Sequence, residues 1–238
     1  MYWILLFIIS WLAASISGAA GFGGALILLP LLTNVVGVKA AVPLLTIAQL
    51  FGNISRVWFG RTEIRWKPVG YFVLGAIPAS VVGSRVFIDL PRENITTGIG
   101  VLLILIVIMR RLKITKFELS DKWLLPGGGI VGFLSAVVGS AGPLGAAFFL
   151  GLNLPAVAYV ASEAVTAVAM HLAKIIVYQK YKLIGFQEMG FGIFLGIAMI
   201  LGSWTGKRVI ERLPREKFIL LVEVLLVVSA VQLILMKF

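Results

Sequence analysis

Long apolar runs, two of them bordered by glycine clusters, limit this chain to few architectures. Runs close to the length of a membrane span follow one another at about 2–18, 38–59, 68–87, 95–109, 123–138, 155–178, 184–206 and 218–236. A helix needs about 20 apolar residues to cross the hydrocarbon core of a bilayer. Only 13% of the residues are charged, against about 25% in a soluble domain. We therefore predict an all-α polytopic membrane protein in which residues 1–238 form a single integral unit.

The two glycine clusters have related sequences. The first, at 17–30, reads SGAAGFGGALILLP, and the second, at 135–143, reads SAVVGSAGP. At one fixed offset three pairs align: Ser17 with Ser135, Gly21 with Gly139, and Gly24 with Gly142. Glycine inside a helix costs about 1 kcal/mol relative to alanine, and it allows the backbone to turn with positive φ. We therefore expect each cluster to break a membrane helix at depth.

A broken helix constrains its surroundings. Irregular backbone at membrane depth is tolerated only inside protein or beside a water-filled cavity. The amides at the start of the second half-helix then point into that cavity, where they and the helix dipole favour an anion. The alternative is that these glycines only let helices pack closely, as small-residue motifs do.

The order of runs and clusters occurs twice. The letters LPRE stand at 90–93 and again at 213–216, and Gly83 and Arg85 align with Gly206 and Arg208. We predict an internal duplication, with repeat one at 1–110, a polar linker at 111–122 and repeat two at 123–238. Each half then contains a glycine-broken, re-entrant or discontinuous helix pair and three membrane-spanning helices. Such repeats are typical of secondary transporters.

The halves can have opposite or equal orientations. If each broken pair returns to its own side, each half crosses three times and the halves are inverted. If the pair crosses instead, there are eight spans and the halves are parallel. Cytoplasmic loops carry an excess of Lys and Arg. The inverted arrangement divides the 21 Lys and Arg residues fourteen to seven, and the parallel arrangement thirteen to eight. We predict inverted halves in the inner, cytoplasmic cell membrane, with the fourteen-residue side facing the cytoplasm.

Polar and ionisable side chains occur inside the apolar runs, where they are costly and mark function. In the run at 38–59, Gln49, Asn53 and Arg56 recur at spacings of four and three, so they share one helix face. Asn53 aligns with His171, and Arg56 with Lys174. The matching second run also contains three further polar residues: Ser162, Glu163 and Thr166. We expect these two helices to supply polar groups to a cavity at the glycine breaks.

The predicted site combines the two breaks with these two helices. Its predicted substrate-binding residues are Gly21, Phe22, Gly23, Gly24, Gln49, Asn53, Arg56, Gly139, Ser140, Ala141, Gly142, Ser162, Thr166 and Lys174. Glu163 is the predicted proton carrier, together with His171. The alternatives are that Arg56 and Lys174 extend to the membrane surface, that Glu163 forms a buried ion pair, and that the other polar groups only join helices or lie at the interface.

Composition excludes several other kinds of site. The chain has no cysteine and one histidine, so thiol chemistry and histidine-cluster metal sites are excluded. We find no nucleophile elbow, phosphate-binding loop or paired carboxylates, and we predict no enzyme activity, no cofactor and no metal. The net charge of +11 lies mostly in gaps between apolar runs, which argues against nucleic-acid binding. The first segment is interpreted as a retained helix rather than a cleaved signal, and the oligomeric state stays open.

Two stretches, 18–30 and 132–143, resemble the TauE/SafE family of membrane transporters, also called the sulfite exporter family. The two-half layout and the length are also similar, so the resemblance covers nearly the whole chain. It implies a transporter for sulfite, thiosulfate, organosulfonates or related sulfur anions, whose partners are that small anion, protons and the lipid bilayer. We predict a proton-coupled secondary transporter that works by alternating access; a passive anion channel and a membrane scaffold are the alternatives.

Overall fold

The computed structural model describes residues 2–87, 121–139 and 141–235. The helices in these ranges are α1 (Tyr2–Ala20), α2 (Gly24–Val36), α3 (Val38–Phe59), α4 (Trp66–Val86), α5 (Leu124–Val138), α6 (Gly142–Leu150), α7 (Ala156–Lys180), α8 (Phe186–Ile210) and α9 (Arg215–Leu235). A short 3-10 turn (Asp121–Trp123) precedes α5. The predicted all-α class is confirmed for these residues. The predicted run at 95–109, most of the linker, the LPRE copy at 90–93 and Ser140 lie outside them.

Five of the described helices are long and apolar enough to cross a membrane: α1, α3, α4, α7 and α8. Their outer faces carry large apolar side chains that are exposed in the isolated chain, among them Leu74, Ile176 and Trp204. Extensive exposed apolar surface of this kind is rare on soluble monomers, whereas contact with lipid covers it. The chain is therefore a multi-pass membrane protein.

The long helices run in two directions: α1, α3 and α8 one way, and α4, α5 and α7 the other. Where two helices are parallel, residues later in one helix contact residues later in the other. Where two helices are antiparallel, residues later in one helix contact residues earlier in the other. Each helix of the first half therefore runs opposite to its partner under the predicted repeat, namely α1 to α5, α3 to α7 and α4 to α8. The contacts that fix these directions are, for α1 with α8, Trp3–Phe191 and Ser15–Gly206; for α3 with α8, Ile47–Gly192 and Gly52–Met199; for α4 with α5, Phe72–Gly128 and Gly83–Phe133; for α4 and its flanking residues with α7, Arg65–Ser162 and Phe87–Tyr178; and for α3 with α7, which are antiparallel, Arg56–Glu163 and Gly60–Ala161.

Glycines let two of these interfaces close tightly. Gly83 of α4 lies against the backbone carbonyl of Phe133 in α5, where a Cβ atom would overlap that oxygen. Gly206 of α8 lies against the carbonyl of Ser15 in α1 in the same way. The predicted repeat aligns Gly83 with Gly206, and the offset of the glycine clusters aligns Ser15 with Phe133. Two glycines that the repeat aligns thus allow close backbone contact at two corresponding helix interfaces. Any larger residue at either position would push the helices apart.

Both glycine clusters lie at helix breaks. Between α1 and α2, Gly21 and Gly23 have φ angles of 89° and 108°, and between α5 and α6, Gly139 has a φ angle of 85°. A residue with a side chain in this left-handed region costs about 1–2 kcal/mol, so these turns favour glycine. Close packing involves some of the same glycines, since a Cβ atom at Gly21 would lie 2.8 Å from the Tyr159 ring. Turning and packing, the two alternatives for these clusters, therefore both occur.

Two apolar clusters flank the breaks. One involves mainly α4, α5, α6 and α7 and includes Phe72, Phe149 and Tyr159. The other involves mainly α1, α2, α3 and α8 and includes Leu28 and Leu32. Because lipid is as apolar as these side chains, close van der Waals packing rather than water exclusion holds such helices together. The polar residues of α3 and α7 meet between these two groups of helices.

Candidate functional site

A small cavity lies where the two helix breaks meet α3 and α7. Both halves of the chain contribute to its walls. The lining residues are Ser17, Gly21, Phe22, Gly23, Ala25, Gln49, Asn53, Arg56, Ser135, Gly139, Ala141, Gly142, Glu163, Ala167, Met170 and His171. The space open to the centre of a water-sized sphere is about 40 Å³, and one water needs about 10–15 Å³ by that measure. The cavity therefore has room for a few waters or one small ion.

Arg56 is a buried cation of the cavity wall. Its guanidinium donates hydrogen bonds to the backbone carbonyls of Ser17, at 3.1 Å, and of Gly21, and to Oδ1 of Asn53. The two carbonyls lie at the end of α1, where a helix leaves its last carbonyls short of helical partners; that of Ser17 also accepts the backbone N–H of Gly21, at 2.8 Å. Arg56 therefore caps the negative end of the α1 dipole and ties α3 to the first break.

Glu163 lies beside Arg56 on the cavity wall. Its Oε2 is 3.7 Å from Nη1 of Arg56, and the two side chains are only 4% and 5% exposed. That oxygen has no hydrogen-bond partner among the described residues. The distance is too long for a hydrogen bond, so the contact is a loose buried ion pair. The ion-pair alternative for Glu163 thus describes this structure, and the pair lies where an entering ion can reach it.

Lys174 occupies the position that the predicted repeat aligns with Arg56. It is fully buried, and its Nζ donates a hydrogen bond to Oγ of Ser135, at 3.2 Å. Ser135 lines the cavity, so Lys174 adjoins the cavity without lining it. Ser135 aligns with Ser17, whose carbonyl binds Arg56, so each cation contacts the matching serine. The alternative that Arg56 and Lys174 extend to the membrane surface is wrong.

Charge around the cavity favours an anion. With Arg56 and Lys174 protonated and Glu163 ionised, these three buried groups carry one net positive charge, and a buried charge without a counter-ion is costly. The first turns of α2 and α6 have no side-chain cap, and Gly23 and Gly142 at their starts line the cavity. The positive ends of two helix dipoles therefore point toward the same space.

Besides Glu163, two further polar groups of the cavity wall lack a hydrogen-bond partner among the described residues. Nε2 of Gln49 and Nδ1 of His171 are buried and make no hydrogen bond to another described residue. Leaving such a group unpaired costs about 1–3 kcal/mol, so water or a ligand is expected to complete it. Gly24 lies behind Gln49, since a Cβ atom there would be 3.3 Å from Nε2. Gly24 thus gives the amide room but does not itself line the cavity.

The structure brings most of the predicted site residues together: Gly21, Phe22, Gly23, Gln49, Asn53, Arg56, Gly139, Ala141, Gly142, Glu163 and His171. Ser162 and Thr166 are placed elsewhere. The Ser162 hydroxyl accepts the backbone N–H of Arg65 at 2.9 Å, and the Thr166 hydroxyl donates to the backbone carbonyl of Glu163 at 2.7 Å. Neither of them lines the cavity. Ser140 lies outside the described residues.

Sequence reasoning missed several lining residues. Ser17 and Ser135 head the two glycine clusters, and their alignment was a usable signal for a paired role. Ala25, Ala167 and Met170 gave no signal, since small and apolar residues are ordinary in membrane helices. Within 2–87, 121–139 and 141–235, no group of three or more His, Cys, Asp or Glu residues could hold a metal ion.

The fold and the cavity define the class: a multi-pass membrane protein with a buried cavity, lined by Arg56 and Glu163, between two broken helices. A family model described as Sulfite exporter TauE/SafE matches residues 6–233. The chain therefore belongs to the TauE/SafE sulfite exporter family, a family of sulfur-anion membrane transporters. The resemblance of the stretches at 18–30 and 132–143 is thereby confirmed. Neither the curated proteins nor the solved structures gave a match.

Proposed function

We propose that this protein is a secondary transporter that moves a small sulfur-containing anion, namely sulfite, thiosulfate or a small organosulfonate, across the cytoplasmic membrane. One observation carries the proposal: Arg56 lines a cavity that joins both helix breaks, with Glu163 at 3.7 Å. Lys174 lies behind Ser135 and adds a second buried positive charge. A buried site with this charge balance is suited to an anion.

The size of the cavity favours the smaller sulfur anions. About 40 Å³ open to the centre of a water-sized sphere accommodates a few waters, or a sulfur atom with its oxygens. The unpaired groups of Gln49 and His171 can bind those oxygens. A long organic tail needs more space than this conformation has.

Proton coupling follows from competition for one cation. An anion that binds Arg56 displaces the Glu163 carboxylate, which then takes a proton from water and is no longer an uncompensated buried charge. Loss of that proton re-forms the ion pair and expels the anion. One monovalent anion and one proton together leave the charge of the site unchanged. Among the described residues, Tyr159 on α7 also acts electrostatically on Arg56, and Arg56 and Lys174 act on His171.

Alternating access requires two arrangements of one site. The opposite directions of α1 and α5, of α3 and α7, and of α4 and α8 support inverted halves. The contacts of Arg56 with Ser17 and of Lys174 with Ser135 support a two-fold relation at the site itself. Inverted halves can exchange conformations and so expose one central site to either side in turn.

Anion flux in proteoliposomes tests the proposal. We expect saturable sulfite uptake that rises with an imposed proton gradient and that thiosulfate or methanesulfonate inhibits. Glu163→Gln should keep anion flux but lose its response to the gradient. Arg208→Gln is the control, because it removes a cation outside the cavity lining.

Each other outcome has a distinct meaning. Flux that is not saturable and ignores the gradient in the wild-type protein would favour the passive channel. Saturable, gradient-driven flux in Glu163→Gln would mean that a residue other than Glu163 couples transport to protons. Folded protein with no flux of any of these anions would reject transport and favour the scaffold.

A further inference from the structure

A second, smaller cavity lies on the other side of Arg56. Its volume is about 20 Å³ by the same measure, and Arg56 lines both it and the central cavity. Its remaining walls come from the ends of α1, α3 and α8 and the start of α7, including Gly60, Val157 and Lys207. Arg56 therefore belongs to the walls of both cavities.

This second cavity lies toward a strongly basic face of the protein. The loop between α3 and α4 follows directly and carries Arg61 and Arg65, and Lys67 lies in the first turn of α4. Helix α8 ends near Arg208 and Arg212. A cationic surface raises the local concentration of anions and speeds their arrival. The face that the second cavity approaches is thus the face that collects anions.

Lys207 is the cation on the outer wall of the second cavity. Its side chain is 33% exposed, and its Nζ is 3.2 Å from Oε1 of Glu211, an exposed pair one helical turn away. Such surface pairs contribute about 0.3–0.5 kcal/mol, so Glu211 does not hold Lys207 strongly. Nζ also lies 5.9 Å from the centre of the Phe59 ring, which lines the same cavity. Lys207 is therefore free to turn toward an anion.

Small residues keep the passage between Lys207 and Arg56 narrow. A Cβ atom at Gly60 would lie 2.6 Å from Cβ of Ala161, and a Cβ atom at Gly18 would lie 3.0 Å from the backbone of Ser203. Both contacts are closer than neighbouring side chains tolerate, so the helices approach here as nearly as their backbones allow. A modest widening would join the cavities, and a bulky group would block them.

We propose that the transported anion passes between the basic face and the central cavity through this second cavity, with Lys207 as an outer binding residue and Arg56 as the inner one. The proposal rests on the proposed transport function and assigns its route on one side. Two cations in series let an anion leave one as it meets the next, which keeps binding favourable without trapping the ion.

Matched charge removals test the role of Lys207. Lys207→Gln and Arg208→Gln each delete one positive charge from the same turn of α8, but Arg208 stacks over Trp204, with 4.4 Å between its Cζ and the ring centre, and does not line the cavity. We expect Lys207→Gln to raise the KM for sulfite about five- to tenfold when sulfite is supplied from the basic face. From the other face the KM should hardly change, and Lys207→Arg should restore it. Equal effects of Lys207→Gln and Arg208→Gln would overturn the route.

Thiol labelling tests the same route in protein that has already folded. The chain contains no cysteine, so Val157→Cys introduces a single thiol into the wall of the second cavity. A membrane-impermeant, anionic methanethiosulfonate reagent added at the basic face should then stop flux. Glu63→Cys, on the exposed loop of that face, should react without loss of flux.

The outcomes of the labelling separate the two proposals. Full flux after Val157→Cys has been labelled would reject the route while leaving transport intact. Absence of flux in unlabelled wild-type protein would instead reject the transport function itself.

Discussion

Arg56 and Lys174 are aligned by the predicted repeat, but their surroundings differ. Four residues after Arg56 stands Gly60, beside which the second cavity opens toward the basic face. Four residues after Lys174 stands Tyr178, which is fully buried, with its ring 5.5 Å from that of Phe87. Its hydroxyl donates to the carbonyl of Ala136 at 3.4 Å. A cavity therefore lies at one end of the site, whereas the Tyr178 and Phe87 rings fill the matching position at the other end.

This difference shows how one scaffold presents unequal ends to the two sides of a membrane. A glycine and a tyrosine at aligned positions leave different volumes, and interiors pack closely enough that such a difference decides whether a passage exists. In the proposed cycle, the filled end opens when the other closes. The structure, in which the passage toward the basic face is narrow, then lies nearer to the state that faces that side, and the following substitutions test that comparison.

The largest effect is expected at Arg56. Arg56→Gln leaves Glu163 without its counter-ion, so the carboxyl either stays charged, at a cost of about 3–5 kcal/mol, or takes a proton as in the proposed cycle. The substitution also removes the cation that the cycle needs. We expect at least a hundredfold loss of sulfite flux and a clear drop in thermal stability. The double variant Arg56→Gln with Glu163→Gln should regain stability but not flux. A double variant that transports sulfite would contradict the role of Arg56.

The glycine breaks rank next. Gly21→Ala places a Cβ atom at left-handed φ and 2.8 Å from the Tyr159 ring, whereas in Gly139→Ala the nearest atom is 3.0 Å away, on Val42. Gly37 also has positive φ but nothing within 4 Å, and its ψ angle of 161° places it in a region open essentially to glycine, so Gly37→Ala measures backbone strain alone, about 1–3 kcal/mol. We expect Gly21→Ala to destabilise the protein more than Gly139→Ala by thermal denaturation in detergent, because its new Cβ atom meets a closer contact. Equal losses would mean that contacts at the breaks contribute nothing.

Tyr178→Leu should weaken the filled end. It keeps an apolar side chain but removes the hydroxyl and part of the ring that packs on Phe87. We expect sulfite leakage that does not depend on the proton gradient, about twofold above the wild type or more, since both ends are then open part of the time. Leu172→Phe, at an exposed position of the same helix, should leave coupling intact. Tight coupling in Tyr178→Leu would mean that the aromatic pair is not a gate.

The smallest effect concerns the two serines. Ser135 binds Lys174 through its hydroxyl, whereas Ser17 binds Arg56 through its backbone carbonyl. Ser135→Ala therefore removes a hydrogen bond to a buried cation, at a cost of about 1.5 kcal/mol, and Ser17→Ala removes none to Arg56. We expect a several-fold fall in flux for Ser135→Ala and near wild-type flux for Ser17→Ala. A larger fall in flux for Ser17→Ala than for Ser135→Ala would contradict the proposed equivalence of Arg56 and Lys174 and of their contacts with the two serines.

Much of the helical layout could be predicted from the sequence, because apolar runs and glycine clusters act locally. The run at 38–59 coincides with α3 (Val38–Phe59), and positive φ occurs at Gly21 and Gly139, which the cluster alignment paired. The spacing of Gln49, Asn53 and Arg56 placed all three on the cavity side of α3. Inverted halves stay a prediction that the helix directions support.

The finer arrangement of the site depended on contacts distant in sequence. Ser162 and Glu163 are adjacent, so they point to different sides of α7, and only packing decided that Glu163 faces the cavity while Ser162 meets the loop before α4. The bonds of Arg56 to the carbonyls at the end of α1 could not be predicted, because they require the position of the break relative to α3. Burial of Lys174 likewise depends on Ser135, which lies in another helix.

Proton uptake on anion binding tests the central claim most directly. Thiosulfate and methanesulfonate do not titrate near neutral pH, so adding either to purified protein in weakly buffered detergent solution reports only protons that the protein takes up. The account predicts about one proton bound per anion in the wild type. It predicts anion binding without proton uptake in Glu163→Gln. Binding without proton uptake in the wild type, or undiminished uptake in Glu163→Gln, would contradict the exchange of anion and Glu163 at Arg56.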